Sequence, residues 1–449
     1  MTPKSTRLKN YQNYKNIEQK IKKIPFNKHA IKSGFKKRKA KKINGKVLLI
    51  AFFLMYLQGN NTFQLWAEQI GKLTNQFVSK QGIWKRVSAR LTKFLKLILI
   101  DALLDQTKHI HTQAGKYKWL KKYKRVLLQD STVIALPSWL SWCFPGNVSR
   151  GKKKSLPIAI GIKIQVVYDI LSDHFIHFEI TPYTSNDQSK SKDILSIVQS
   201  EDLVIRDLGY FVLDSFSEMS QQNISFISRL RYGVKLYEAE TGKDINLLKE
   251  LKKTGRFDKW IMLGKDQKLK ARLVAEKLAV EQVNNRRRKA KNDRDKRINH
   301  CKEYYEMLEY NLFITTEDKE LLSSDQVARS YEIRWRIEII FKCWKSNFHL
   351  QDLIPKNCSL TKERVEAIIY MMLIFILLFQ VTIYNMTLVR TDKIKNCFIS
   401  LVKLCKYIAI NINLFFENDF NSLLPKILYY CRYDKRYDRQ NFAQKIKLG

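Results

Sequence analysis

Acidic residues are scarce in this chain. It has 82 lysine and arginine residues against 42 aspartate and glutamate residues in 449, so the formal charge is +40. An excess of this size implies a polyanionic partner, with nucleic acid favoured over a membrane surface. A compositional drift towards lysine is the alternative explanation, but drift alone would not remove the compensating acids.

Several motifs are also missing. The seven cysteines are scattered without a C-x-x-C pair, which excludes a disulfide framework and a zinc knuckle and favours a reduced, cytosolic setting. The chain has no phosphate-binding loop of the Walker type and no G-x-G-x-x-G turn, so no nucleotide site is predicted. No Ser–His–Asp pattern stands out among the seven histidines.

Long apolar runs are few. Val47 to Leu57 is too short to span a bilayer, whereas Ala367 to Tyr384 has about the length of a membrane helix. The second run contains Gln380 and Thr382, and no other run has similar strength. We therefore predict a buried core helix here, with a membrane anchor as the alternative. The N-terminus is basic but has no apolar segment and cleavage site typical of a secretory signal.

The pattern along the chain predicts four regions. They are a basic arm (1–45), a helical DNA-binding region (46–120), a catalytic domain (121–390) and a C-terminal helical region (391–449). In the second region, residues at helical spacing are expected to form the core; they are Trp66, Phe77, Trp84, Phe94 and Ile98. No secure helix-turn-helix signature is present there.

Short β-like runs begin after Lys124, and the expected fold class is α/β (α+β). Three runs predict an antiparallel meander: Val126–Leu136, Ile158–Ile170 and His174–Thr181. Three further strands are expected at Asp202–Asp207, Ile224–Ile227 and Asn311–Thr316. Between the last two, residues 232–310 are polar, lysine-rich and β-like, and we interpret them as a mostly β insertion.

Three acids lie in unusual contexts. Asp130 is inside an apolar strand, Asp207 ends another strand, and Glu338 is in a helical run. A carboxylate buried in an apolar strand costs several kcal/mol, roughly, unless it is paired or bound to a metal. Arg206 is adjacent to Asp207, so a structural ion pair is the alternative for that residue.

The run from Tyr331 to Lys345 predicts a helix without Gly or Pro. At about 100° per residue, Tyr331, Arg334, Glu338 and Lys345 fall within roughly 60° of one another and share a face. Apolar residues lie on another side; they are Ile333, Ile337, Ile340 and Trp344. One carboxylate between two cations and a phenol suits a site where a metal ion meets a phosphate backbone.

The chemistry that these acids fit is phosphodiester hydrolysis and transfer. Two divalent metal ions can activate the attacking oxygen and stabilise the leaving one. Hard oxygen ligands favour Mg²⁺ or Mn²⁺, and no histidine–cysteine cluster offers a zinc site.

Three ordered motifs resemble those of a family. Tyr331, Arg334, Glu338 and Lys345 match Y-x2-R-x3-E-x6-K, a signature of bacterial insertion-sequence transposases of the DDE class. Asp207-Leu-Gly-Tyr resembles their second motif, and Asp130-Ser-Thr resembles the first. The resemblance covers roughly residues 124 to 350.

The resemblance implies a ribonuclease-H-like catalytic core with a mostly β insertion. By carry-over, Asp130, Asp207 and Glu338 would be the catalytic metal ligands, while Tyr331, Arg334 and Lys345 would contact DNA phosphates. Aromatic residues in the insertion can stack on a flipped base, and Trp260 is the candidate, with a core role as the alternative. The tract Arg286, Arg287 and Arg288 is predicted to face DNA, or else to be a solvated face.

The implied function is cut-and-paste DNA transposition in the bacterial cytoplasm at the nucleoid. The expected partners are double-stranded DNA, as terminal inverted repeats and target, and a second copy of the chain in the synaptic complex. The alternatives are a catalytically inactive, transposase-derived DNA-binding protein and a nuclease without strand transfer.

Overall fold

A computed structural model defines the fold. It describes residues 23–36, 43–56, 59, 61–107, 117–146, 160–266, 268–292, 300–352, 354, 360–391, 394 and 397–434. Most of the predicted basic arm, including the block 37–42, therefore lies outside the described residues, as does the end of the predicted C-terminal region.

A mixed nine-stranded sheet organises the chain, with the order β3-β2-β1-β4-β5-β9-β8-β7-β6. Its strands are β1 (Arg125–Ala135), β2 (Gly161–Asp169), β3 (His174–Pro182), β4 (Asp202–Arg206), β5 (Ser225–Arg229), β6 (Leu236–Glu238), β7 (Arg256–Leu263), β8 (Leu269–Lys277) and β9 (Tyr310–Thr315). The predicted meander is confirmed, because β1, β2 and β3 pair antiparallel in sequence order. β4 is parallel to both β1 and β5, and β9 is antiparallel to β5.

The segment 232–310 extends this sheet. β6, β7 and β8 are antiparallel neighbours, and β8 joins the rest of the sheet through β9. In the described part of this segment, three helices accompany the strands: α7 (Leu247–Thr254), α8 (Val280–Lys291) and α9 (Lys302–Met307).

Successive residues of the strands belong to two different hydrophobic clusters. Leu128 and Ile205 belong to one hydrophobic cluster, whereas Leu127 and Val204 belong to the other. Since successive strand residues point to opposite faces of a sheet, the two clusters cover its two faces. The larger cluster also contains the N-terminal and C-terminal helices, and the smaller one contains α6 (Leu213–Gln221).

Within the described residues, five helices precede the sheet: α1 (Phe26–Lys32), α2 (Gly45–Tyr56), α3 (Phe63–Thr74), α4 (Lys80–Arg86) and α5 (Ala89–Thr107). Trp66, Phe94 and Ile98 are buried, as predicted. The prediction for Phe77 is wrong, because its side chain is fully exposed. α3 ends at Thr74 and is capped by Asn75, whose φ of 56° is left-handed, so the helical periodicity does not continue to Phe77.

The remaining helices are α10 (Ser324–Ile333), α11 (Trp335–Ser346), α12 (Lys362–Phe375), α13 (Thr382–Thr391), α14 (Leu401–Ile410), α15 (Ile412–Glu417) and α16 (Phe420–Tyr430). A π-helical segment, Ile376–Val381, joins α12 to α13. The stretch Lys362–Thr391 is apolar and long enough to cross a membrane, but 94% of its most apolar window is buried inside the protein. Gln380 is accommodated there because its side chain accepts a hydrogen bond from Trp344 at 3.0 Å.

The predicted helix over 331–345 is divided. α10 ends at Ile333 and α11 begins at Trp335, with Arg334 between them in helical geometry (φ −51°, ψ −32°). The amide of Arg334 donates to the carbonyl of Tyr331, and the amide of Ile337 donates to the carbonyl of Arg334. Both bonds span three residues, as in a 3₁₀ helix. The predicted packing side is confirmed, since Ile337 and Trp344 are fully buried.

Candidate functional site

Two of the predicted acids are neighbours in the sheet. Gln129 in β1 is paired with Arg206 in β4, so Asp130 and Asp207 each follow by one residue on adjacent parallel strands. Asp130 lies two residues after Leu128, and Asp207 lies two residues after Ile205. Because residues two apart in a strand share a face, both carboxylates lie on the face that carries the larger cluster.

Arg206 points to the other face and does not pair with Asp207. Its guanidinium donates to the Ser191 carbonyl and to the hydroxyls of Ser191 and Ser215, each at 2.9 Å, and lies over the Phe216 ring at 4.5 Å. The structural ion pair considered for Asp207 is therefore absent from the described contacts.

The helical segment 331–338 brings the third acid to the pair. The Tyr331 hydroxyl donates to Asp207 Oδ1 at 3.2 Å. Arg334 donates through Nη1 to Asp130 Oδ2 at 3.4 Å and through Nη2 to Glu338 Oε1 at 2.5 Å. These five residues form one assembly, which we call the carboxylate cluster. Its members come from segments up to 204 positions apart in the chain.

Burial dominates the electrostatics of this cluster. Desolvation raises the pKa of Asp130 to about 7, and the hydrogen bond from the Ser131 amide and the charge of Arg334 oppose that rise. Desolvation also raises the pKa of Tyr331 to about 12, so its hydroxyl remains a donor at neutral pH. Arg334 is the cation that balances the acids, with its side chain only 12% exposed.

Lys345 extends the cluster along α11. Its side chain is half-buried, and burial lowers the pKa of its amine. Within the described residues, it has no hydrogen bond or ion pair to a carboxylate. A desolvated amine without an anionic neighbour is suited to a phosphate that arrives with a substrate.

The donor chemistry of the cluster fits a divalent metal ion, because carboxylate oxygens are the ligands that Mg²⁺ and Mn²⁺ prefer. The arrangement does not form a closed metal site: among the residues that the structure describes, no three His, Cys, Asp or Glu side chains are grouped to hold an ion. Arg334 lies between Asp130 and Glu338 instead, so a metal ion held by these two acids would have to replace the guanidinium.

The other predicted DNA contacts lie outside the cluster. The Trp260 side chain is half-buried, and its ring N–H donates to Asp318 at 3.0 Å. Arg286 donates to the Tyr310 carbonyl at 2.9 Å and Arg287 to Glu309 at 2.7 Å. These two arginines therefore anchor α8 to the start of β9.

Arg288 is different from its two neighbours in the tract. Among the described residues, its guanidinium bonds only to the Asn285 side chain, at 3.1 Å, on an exposed surface of α8. Of the three arginines, Arg288 is thus the one whose charge is presented to solvent.

Three residues near the cluster escaped the sequence analysis. The Arg229 guanidinium lies over the Tyr331 ring at 5.4 Å. Trp335, next to Arg334, is 57% exposed. Asp187 accepts hydrogen bonds from Ser131 and Lys163, both at 3.1 Å. The position of Arg229 at the end of a strand, close to that of Asp207, could have been noticed in the sequence. Asp187 begins a short 3₁₀ helix, Asp187–Lys190, and no sequence pattern marked it.

Comparisons with known proteins identify the family of this chain. Residues 121–378 match the family described as "Transposase DDE domain". The chain is 29% identical over 381 residues to the transposase for insertion sequence element IS231D of Bacillus thuringiensis subsp. finitimus, which covers 80% of this chain and 77% of that protein. It is 27% identical over 327 residues to the transposase for insertion sequence element IS1151 of Clostridium perfringens, covering 68% and 66% respectively. Because the matched segment spans more than half of the chain and contains all three acids, this chain belongs to the DDE transposases.

Proposed function

We propose that this transposase moves an insertion sequence by a cut-and-paste route. The observation that carries the proposal is the carboxylate cluster, in which Arg334 bonds to Asp130 and Glu338 and Tyr331 bonds to Asp207. Three acids from distant segments are gathered there, and Lys345, on the same helix as Glu338, has no carboxylate partner among the described residues. This arrangement suits binding of a phosphodiester and of the cations that its chemistry requires.

A ribonuclease-H-like core is the fold that we infer for the catalytic domain, with 232–310 as its mostly β insertion. The strand order β3-β2-β1-β4-β5, an antiparallel meander followed by two parallel strands, supports this inference. The insertion then forms the remaining strands through β9.

Each residue of the cluster has a proposed role. Asp130, Asp207 and Glu338 would hold two Mg²⁺ or Mn²⁺ ions, which would supply Lewis-acid activation of the attacking and leaving oxygens. Arg334 and Lys345 hold DNA phosphates near the cut, and Tyr331 orients Asp207 and contacts the backbone. Trp260 and Arg286–Arg288 remain predicted DNA contacts, with Arg288 the most accessible.

The proposed substrate is duplex DNA. Water cleaves a strand at the terminal inverted repeat, and the freed 3′-hydroxyl then attacks a target phosphodiester and displaces its 3′-oxygen. Two ends must be held together for this transfer, so we expect a homodimer in the synaptic complex. A reduced bacterial cytoplasm, at the nucleoid, is the expected location.

Cleavage of a plasmid that carries the gene with its own flanking DNA tests the proposal. In Mg²⁺, the intact protein should cut at two inverted repeats and join the ends to new DNA, and Glu338→Gln should do neither. Glu320→Gln is the matched control, because Glu320 is an exposed carboxylate outside the cluster. Binding without cleavage by the intact protein would favour the inactive DNA-binding protein, and cleavage without joining would favour the nuclease.

A further inference from the structure

A polar network lies on the opposite face of the sheet from the carboxylate cluster. Ser131 follows Asp130 in β1 and is paired with Gln165 in β2, so the side chains of Ser131 and Gln165 point away from the face that carries Asp130. Asp187 accepts three hydrogen bonds there, all through Oδ1. The donors are the Ser131 hydroxyl and the Lys163 amine, each at 3.1 Å, and the Gln165 side-chain amide at 3.3 Å. Asp187 therefore ties β1 to β2 directly behind Asp130.

The bond to Ser131 connects Asp187 with the first acid of the cluster. The Ser131 amide donates to Asp130 Oδ1 at 2.8 Å, while the Ser131 hydroxyl donates to Asp187. Because the amide and the hydroxyl belong to one residue, holding the hydroxyl limits how far the amide can turn. The orientation of the Asp130 carboxylate thus depends on a second carboxylate on the other face of the sheet.

The same residue supports the turn that follows Asp207. A Cβ added to Gly209 would lie 3.4 Å from Asp187 Oδ2, so the turn runs directly beside Asp187. The buried Tyr210 donates through its amide to the Asp207 carbonyl at 3.0 Å and through its hydroxyl to Gln165 Oε1 at 2.5 Å. Gln165 therefore bonds to Asp187 with one end of its amide and to Tyr210 with the other.

The charge of Asp187 is balanced by Lys163. Their charged atoms are 3.1 Å apart, and the two side chains are 26% and 14% exposed, respectively. Lys163 also donates to the Ser185 carbonyl at 2.8 Å, so its amine keeps a partner when the carboxylate is removed. Hydrogen bonds to an ionised acceptor are stronger than those between neutral groups. A carboxylate at this position therefore holds the network more firmly than an amide would.

We propose that Asp187 is a positioning residue, which fixes the Asp130 and Asp207 carboxylates relative to each other so that together they can hold a metal ion. The assignment of these two acids as metal ligands rests on the proposed function. Loss of an outer partner that orients metal ligands costs about 10–100-fold in metal affinity or activity. Asp187 acts from the other face of the sheet, through Ser131 and Gly209, and does not touch the reacting atoms.

Mn²⁺ binding, measured by electron paramagnetic resonance on the full chain without DNA, tests the proposal independently of cleavage. Mn²⁺ that is still bound by Asp130→Asn is subtracted as background. Asp187→Ala removes all three hydrogen bonds and should weaken the remaining Mn²⁺ binding about 10–100-fold. Asp187→Asn keeps an acceptor oxygen but loses the charge, so its loss should be smaller than that of Asp187→Ala.

Asp193→Ala is the matched control. Asp193 belongs to the same connection between β3 and β4, and it is paired with Lys190 at 2.9 Å. Lys190 keeps Glu179 as a partner at 2.9 Å, so the substitution leaves no cation unpaired. Mn²⁺ binding by Asp193→Ala should equal that of the intact protein.

DNA cleavage supplies a second measurement. Asp187→Ala should lower the rate at saturating DNA about 10–100-fold. The DNA concentration for half-maximal rate should stay the same, because the proposed phosphate contacts Arg334 and Lys345 lie on other elements. A higher Mn²⁺ concentration should restore part of the rate, since the defect is in metal binding.

Hydrogen exchange separates positioning from a general loss of stability. In Asp187→Ala, peptides covering 207–211 should exchange faster, while peptides from β7 and β8 should not change. Ser131→Ala keeps the ion pair of Asp187 with Lys163, so it tests the link to Asp130 even if Asp187→Ala folds poorly. The proposal is wrong if Asp187→Ala binds Mn²⁺ as tightly as Asp193→Ala. It is also wrong if exchange rises throughout the sheet in Asp187→Ala and Ser131→Ala binds Mn²⁺ as the intact protein does.

These measurements separate the two proposals. If the intact protein cuts and joins DNA while Asp187→Ala matches Asp193→Ala in Mn²⁺ binding and in rate, the positioning role fails and the proposed function stands. If the intact protein cuts no DNA, but Mn²⁺ binding is lost in Asp187→Ala and kept in Asp193→Ala, the proposed function fails and the positioning role stands.

Discussion

The buried pair of Arg336 and Asp173 gives the sharpest test of how α11 is held in place. The two side chains are 4% and 5% exposed, and their charged atoms are 3.6 Å apart. Tyr168 donates a hydrogen bond to the same Asp173 carboxylate at 2.5 Å. At an effective dielectric constant of about 20, two unit charges at this distance attract by about 5 kcal/mol. Desolvation of both groups offsets much of that attraction in the intact protein.

Asp173→Asn should therefore destabilise the protein by about 3–5 kcal/mol, because it removes the carboxylate that faces the buried Arg336 charge. Asparagine preserves the shape and tolerates the left-handed backbone at this position (φ 54°), so strain does not contribute. Urea unfolding, followed by both circular dichroism and tryptophan fluorescence, measures the change and tests whether one transition is present.

The double variant Asp173→Asn, Arg336→Met supplies the control. It removes both charges, so we expect it to be more stable than Asp173→Asn alone. A loss below about 1 kcal/mol for Asp173→Asn, or a double variant less stable than the single one, would show that the pair does not hold α11. Since Glu338 lies two residues after Arg336, DNA cleavage should be reduced most in the variant that is least stable.

Three further substitutions follow from the packing. Phe94→Ala should cost about 3–5 kcal/mol, because the ring is fully buried, whereas the exposed Phe77→Ala should change the urea midpoint very little. Gly161→Ala should destabilise by roughly 1–3 kcal/mol, since a Cβ there would lie 2.6 Å from the Ile134 carbonyl oxygen; thermal unfolding would detect the loss. Lys345→Met should leave stability unchanged or slightly raised, because a partly desolvated amine is removed, while the DNA concentration needed for half-maximal cleavage rises.

Local pattern was sufficient for most of the sheet. The runs at β1, β2 and β3 are rich in Ile and Val and are bounded by turn residues, so their type and their meander follow from the sequence. The wrong prediction for Phe77 also came from local pattern. Periodicity records which residues repeat at a helical spacing, but it does not register a single left-handed residue such as Asn75 that ends the helix.

The sequence by itself determined the charge, the kinds of side chain and the order of the three motifs along the chain. Only the tertiary structure decided which of them meet. Arg334 and Asp130 are 204 residues apart, and their contact depends on the parallel pairing of β1 with β4 and on the packing of α10 and α11 over that face. Likewise, because successive strand residues point to opposite faces of the sheet, Asp207 faces the cluster and Arg206 points to the other face. The physical reason is that local propensity acts over a few residues, whereas a site is assembled by burial of surfaces from distant segments.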